Sequence, residues 1–364
     1  MNAPLLWEIV TGVCLQVTLV VVAAAIVERW LNQSESGCRV WTASFIAVIA
    51  LVANAILLPH FRITTIPVNR VTDRIELILQ WQMWGMYAGG AIWLIGVLLV
   101  LVRRGCGVVH LLRFLKRDCE TVSLDQLELS GIPADFIPPR LHLLVSEKLT
   151  GPFCRQFHQP TIVLPKYVVE GDKEVLRHVM LHELSHLKTN HPLQFFLQQI
   201  CTAVLWFHPA IWWAGYRAEV VREFLCDEVA AKSAGKIVDY LRTLIQIAQR
   251  SVERPSCESP SCVLSFGRRK SVIVRRSERL VQLAKSPTVF SRPRQSLGYV
   301  GVVLMTLLAA HLWLPVNVLA SSRSHWSPWP HWTASTLHDF GVNVRDFEPF
   351  DERHEFSESS HDDD

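Results

Sequence analysis

Four stretches of this 364-residue chain are apolar over enough residues to cross a bilayer: 5–27, 41–58, 81–102 and 297–319. About 30 Å of hydrocarbon takes roughly 20 residues of helix. Half of the chain is hydrophobic and its mean hydropathy is positive, which is unusual for a soluble enzyme of this size. Its thirteen Trp agree, because Trp collects at membrane–water interfaces. No Lys or Arg precedes the first stretch, whereas a secretory signal opens with positive charge, so it reads as an uncleaved span despite Ala23-Ala24-Ala25.

Basic residues near span ends stay in the cytoplasm, and here they flank one segment. Arg103, Arg104, Arg113, Lys116 and Arg117 follow the third span. Arg268, Arg269, Lys270, Arg275, Arg276, Arg279, Arg292 and Arg294 precede the fourth. The predicted organisation is a three-span region over 1–102, a cytoplasmic domain over 103–295, a fourth span over 296–320 and an external tail over 321–364. The N-terminus is then outside as well. The tail is acidic, carries Trp326, Trp329 and Trp332 beside the last span, and reads as a solvated, disordered segment. A fifth apolar stretch, 193–216, contains His208-Pro209, and proline interrupts a helix. A hairpin dipping into the membrane or a buried pair of core helices fits it better than a clean crossing.

The chemistry is concentrated in residues 174–188, EVLRHVMLHELSHLK. Val175, Val179, Leu184 and Leu187 recur at helical spacing with no Pro or Gly. On such a helix His182 and His186 share one face, close enough for a single ion. Glu183 is turned partly aside, where its carboxylate can reach the attacking water without taking a coordination position. This is the His-Glu-x-x-His arrangement of zinc hydrolases. A catalytic zinc takes three protein ligands and keeps one position open, so a third ligand is expected downstream. Glu223 is the best candidate, ahead of Glu219, with Asp227 one turn later to orient a ligand imidazole. Two imidazoles and a carboxylate suit Zn2+ without a thiolate. Glu183 would then act as general base, and His208, Arg222 and His191 are candidates for stabilising the oxyanion.

Upstream, 141–145 and 161–164 read as short strands separated by Gly151-Pro152. Thr161, Ile162, Val163 and Leu164 are the candidate strand for pairing with an extended substrate. The nine Cys are scattered, odd in number and without a Cys-x-x-Cys pair, so they read as mostly reduced; Cys257 and Cys262 are the nearest pair.

These residues resemble a known family, the bacterial antirepressor membrane peptidases of the BlaR and MecR type. The resemblance is most specific over 151–231: Pro152-Phe153, then Gln159-Pro160 through Pro165, the His182–His186 motif, Trp206-Phe207-His208-Pro209 with Trp212-Trp213, and Glu223 to Asp227. It implies a mainly α membrane protein of four transmembrane helices, with a cytoplasmic α+β metallopeptidase domain of the gluzincin kind between the third and fourth. It implies His182, His186 and Glu223 as zinc ligands and Glu183 as catalytic. It implies a cytoplasmic repressor as protein substrate, the bacterial inner membrane as location and no direct nucleic-acid binding; a homodimer is one candidate assembly. The family often has Gly where Gln156 stands and Asp where His191 stands. The β-lactam sensors of this kind carry a penicillin-binding domain after the fourth span, but about 45 residues remain here, too few for a comparable core. Ser233 and Lys236 make a Ser-x-x-Lys match but lack partner motifs, so β-lactam acylation is not expected. Alternatives are a quality-control membrane protease and a non-catalytic sensor or scaffold.

Overall fold

The computed structural model describes residues 3–59, 73–127, 132–156, 159–253, 264–265, 270–285, 292–313, 329–342 and 344. The chain opens with α1 (Ala3–Leu31), α2 (Ser34–Leu57) and α3 (Asp73–Arg117). Asn32 closes the α1–α2 hairpin in the left-handed conformation, which Asn tolerates because its short polar side chain can bond locally. Leu6–Leu31, Ser34–Leu57 and Gln80–Arg117 are each long and apolar enough to cross a membrane. Along α3 Trp81, Trp84, Tyr87, Ile92, Leu98, Leu99 and Val102 are exposed, a surface suited to lipid.

At 45 residues α3 is about 68 Å long, twice the hydrocarbon thickness. The expected boundary at 102 therefore falls inside an unbroken helix. Its far end carries Leu111 and Phe114 into a core with Leu149, Phe153 and Val163. That core belongs to a sheet of β1 (Glu120–Val122), β2 (His142–Ser146), β3 (Phe153–Gln156), β4 (Pro160–Pro165) and a later strand. After β4 come α4 (Lys166–Val169), α5 (Lys173–Lys188), α6 (His191–Val204), α7 (Pro209–Ala234) and α8 (Ile237–Glu253). The last strand, β5 (Leu264–Ser265), is followed by α9 (Lys270–Lys285), α10 (Arg292–Ala310) and α11 (His331–Asp339).

The sheet runs in the order β1-β2-β4-β3-β5, with β2–β4 parallel and the other pairs antiparallel. β4 is hydrogen-bonded on both sides, and Ile162, Val163 and Leu164 are buried. The expectation that Thr161, Ile162, Val163 and Leu164 take an added substrate strand is thus corrected: both ladders of β4 are filled. A near-continuous apolar run is what a strand covered on both faces requires. On its other side β3 is covered by β5 of this chain, Leu264 and Ser265 pairing with Cys154 and Phe153.

Residues 193–216 form the α6–α7 hairpin rather than a single crossing. Cys201, Leu205, Ile211, Ala214 and Ala218 join Val13, Val17, Trp41 and Phe45 of α1 and α2 in one apolar core. Trp93 Nε1 of α3 donates to Val204 O at 2.9 Å, and Trp206 Nε1 returns a bond to Trp93 O at 3.2 Å. The fourth expected span is described as α10, whose apolar part, Gln295–Ala310, is shorter than the other three; 314–319 lie outside the described residues. Part of the tail expected to be disordered is helical: α11 bonds back to α2 through Trp332 Nε1 and Ile56 O at 2.5 Å. Cys257, Cys262 and Trp326 lie outside the described residues.

Candidate metal centre

Helix α5 starts at Asp172, whose carboxylate caps it by accepting the Glu174 N–H at 3.0 Å. Its Leu176, Val179, Met180, Leu184 and Leu187 are buried in a core shared with Ile162 and Leu164 of β4 and Ala230 of α7. That packing fixes the rotation of α5, so His182 and His186 point along one line toward α7. Asn190 at φ 54° ends the helix, and Pro192 in the first turn of α6 starts a new direction. Pro209 opens α7 in the same way, and Gly235 at φ 80° closes it.

His182 Nε2 lies 3.2 Å from His186 Nε2. Glu223 places Oε2 3.5 Å from the first and Oε1 3.5 Å from the second. All three residues are buried, at 0%, 2% and 5% exposure, where uncompensated polar atoms are costly. Glu183 Oε2 is buried without a hydrogen-bond partner. Two imidazole nitrogens and a carboxylate therefore converge on one buried point, beside a Glu183 oxygen that no hydrogen bond satisfies. This donor set fits zinc and leaves a coordination position to spare.

Behind the cluster is a second layer. Asp227 Oδ1 is 3.2 Å from His182 Nδ1, and Tyr240 donates to the same oxygen at 2.7 Å while lying 3.0 Å from that nitrogen. Arg276, on α9, is buried and donates through Nε and Nη2 to both Asp227 oxygens at 2.7 and 2.6 Å. Its Nη1 lies 3.0 Å from Glu223 Oε2 as an ion pair. One guanidinium thus holds the candidate carboxylate ligand and the carboxylate behind His182 together. Cys154, on β3, is buried and interacts electrostatically with the Glu183 carboxylate.

The electrostatics follow from this burial. Desolvation pushes the Glu183 carboxyl up to about 7, against the pull of protonated His182. Burial opposes charge on His182, but its bonds to Asp227 and Glu223 outweigh that and bring it to about 9. His186, buried without such a carboxylate bond, falls to about 3. Glu223 is desolvated yet pulled down to about 2 by Arg276 and the histidines, and Asp227 lies well below the usual carboxylate range for the same reason.

His182, Glu183, His186, Glu223 and Asp227 are brought together as the sequence spacing expects. Of the three oxyanion candidates, His191 joins them behind His186, while His208 does not. His208 bonds α1, with Nε2 3.1 Å from Cys14 O, because the α6–α7 turn is packed among the spans. Arg222 gives Nη2 to Gln198 Oε1 at 2.9 Å, and His191 lies behind His186, 2.9 Å between Nδ1 atoms. Cys226 Sγ is 3.5 Å from the same His191 atom. Tyr240, Cys154 and Arg276 were missed. Arg276 sits in a run of basic residues that reads as a topological signal; the need of a buried Asp227 for a counter-charge was the clue to it.

A two-helix pair with this donor set, tied to long apolar helices, defines a membrane-associated metallopeptidase. The chain belongs to the BlaR1 peptidase M56 family, which matches residues 6–277, from α1 through Arg276. It is similar to the regulatory protein BlaR1 of Bacillus licheniformis, 31% identical over 78 residues, 21% of this chain and 13% of that protein. It is similar to the methicillin resistance mecR1 protein of Staphylococcus aureus and of Staphylococcus epidermidis, each 26% identical over 117 residues, 32% of this chain and 19% of the relative. The matched segments thus span less than a fifth of those curated relatives.

Proposed function

We propose that this chain is a membrane zinc endopeptidase of signal transduction that cleaves a cytoplasmic regulatory protein such as a transcriptional repressor. The observation that carries it is the convergence of His182, His186 and Glu223, all buried, beside a buried Glu183 with an unpartnered oxygen. Zinc held by those three residues would lower the pKa of water and polarise a peptide carbonyl.

The chain's own residues supply the rest. Glu183 takes the proton of the attacking water on its carboxylate and passes it to the leaving amine nitrogen, so the proton count balances over the two steps. Burial, by raising this carboxyl, makes it a base matched to neutral pH. Asp227 and Tyr240 fix the rear nitrogen of His182, and Arg276 keeps Asp227 and Glu223 in place. The repressor as substrate draws on the relatives named for regulation and resistance, and on the basic flanks that assign this domain to the cytoplasm.

The test compares wild-type and Glu183→Gln cells for cytoplasmic proteins whose cleavage depends on this chain. Products of a regulatory protein that vanish in Glu183→Gln support the reading, and kcat on that protein falls about 10²–10⁴-fold. Cleavage that persists in Glu183→Gln overturns it; loss of membrane-protein fragments alone would favour quality control.

A further inference from the structure

His186 has two faces, and the function proposed above uses one. Its Nε2 looks at His182 and Glu223, while its Nδ1 looks away, 2.9 Å from His191 Nδ1. The chain makes a sharp turn to achieve this. Asn190 takes the left-handed conformation directly after α5, and the first residue of α6 comes back under the last turn of α5. His191 is only 1% exposed, so the contact is an interior one.

We propose that His191 is the positioning residue of His186, accepting its Nδ1–H and so fixing the tautomer and ring rotation that present Nε2 to a divalent cation. The inference rests on the metallopeptidase reading. Two ring nitrogens at this distance share one hydrogen, and an imidazole that ligates through Nε2 carries its hydrogen on Nδ1. His191 must then accept at Nδ1 and hold its own hydrogen on Nε2.

The two candidate histidine ligands are consequently braced by different chemistry. Behind His182 stands a carboxylate, Asp227, clamped by Arg276. Behind His186 stands a second imidazole, with the Cys226 thiol at 3.5 Å as its further neighbour. His186, His191 and Cys226 lie close enough to form a metal cluster of their own. That use would need the Nδ1 lone pair of His186, which the neutral ring lacks when Nε2 ligates.

The experiment is zinc affinity of the full-length protein in detergent, by competition with a chromophoric chelator, for wild type, His186→Ala, His191→Ala and His191→Asn. Asn places Oδ1 one bond from Cγ, as His places Nδ1, and restores an acceptor at the same point. Wild type should bind one zinc that His186→Ala loses. His191→Ala should bind it about 10–100-fold more weakly, the usual loss when a ligand's outer partner is removed. His191→Asn should return it to within a few-fold of wild type, and melting in excess chelator should show both variants folded. Equal affinities of His191→Ala and wild type overturn the proposal. So does an equal deficit in Ala and Asn, which marks simple packing. A second zinc removed by Cys226→Ser overturns it in favour of a separate His191–Cys226 site. Wild type that binds no zinc overturns the metallopeptidase reading and this proposal with it, whereas the other adverse results sink this proposal alone.

Discussion

Removing the Arg276 guanidinium would leave Asp227 and Glu223, both nearly solvent-free, without the charge that offsets them. Breaking a buried pair from one side costs about 3–5 kcal/mol, so Arg276→Met should lower the melting temperature sharply. Differential scanning calorimetry in detergent, with and without zinc, checks this; unchanged melting would contradict the ion-pair geometry. Glu183 gives a prediction of opposite sense. Its carboxyl is raised in the folded protein, so between the unfolded value and about 7 the folded state binds more protons and stability falls as pH rises. In metal-free protein Glu183→Gln should therefore melt higher than wild type at pH 8 and much the same at pH 4. At this scale the sequence spoke unevenly. His182, Glu183 and His186 are legible because a helix fixes neighbours four apart, and Glu223 and Asp227 because the same rule holds on α7. Tyr240 and Arg276 come from α8 and α9, and no local spacing ties them to Asp227. His208 misled through its place in the Trp206–Pro209 motif, which the fold spends on packing against α1.

The two strands on either side of Gly151-Pro152, β2 and β4, were legible as strands but not as neighbours. Strand order depends on long-range pairing, and β4, the more apolar of them, is central because it is buried on both faces. The helical hairpin of α6 and α7 is tighter than composition suggests. A Cβ on Gly215 would lie 2.7 Å from Gln198 Nε2, and Gln198 is the partner of Arg222. Gly215→Ala should push the Gln198 amide aside and weaken its bond to Arg222, a cost of about 1 kcal/mol. Chemical denaturation in mixed micelles reads it; a neutral effect would show that Gln198 swings aside freely.

Taken over its length, the molecule joins membrane helices to the sheet and site through continuous parts. The third span becomes the helix that packs on β3, and the α1–α2 turn touches α9, where Arg279 donates to Asn32 O at 3.1 Å and to Glu228 Oε1 at 3.1 Å. The apolar spans were legible from length and hydropathy alone, whereas these junctions were not, since polar contacts between distant segments leave no periodic mark. Orientation is the prediction that belongs here. Cys106 is exposed on α3, just after Arg103 and Arg104. In a protein retaining Cys106 as its sole thiol, a membrane-impermeant maleimide should label inside-out vesicles and spare right-side-out ones; the reverse pattern would place the peptidase domain outside.

Zinc content after single substitutions tests the centre of the account most directly. Full-length Glu183→Gln should keep one tightly bound zinc per chain, because its side chain serves the proton and not the ion. Glu223→Ala, folded by calorimetry, should lose it. A Glu223→Ala protein that retains zinc at wild-type affinity would contradict the account.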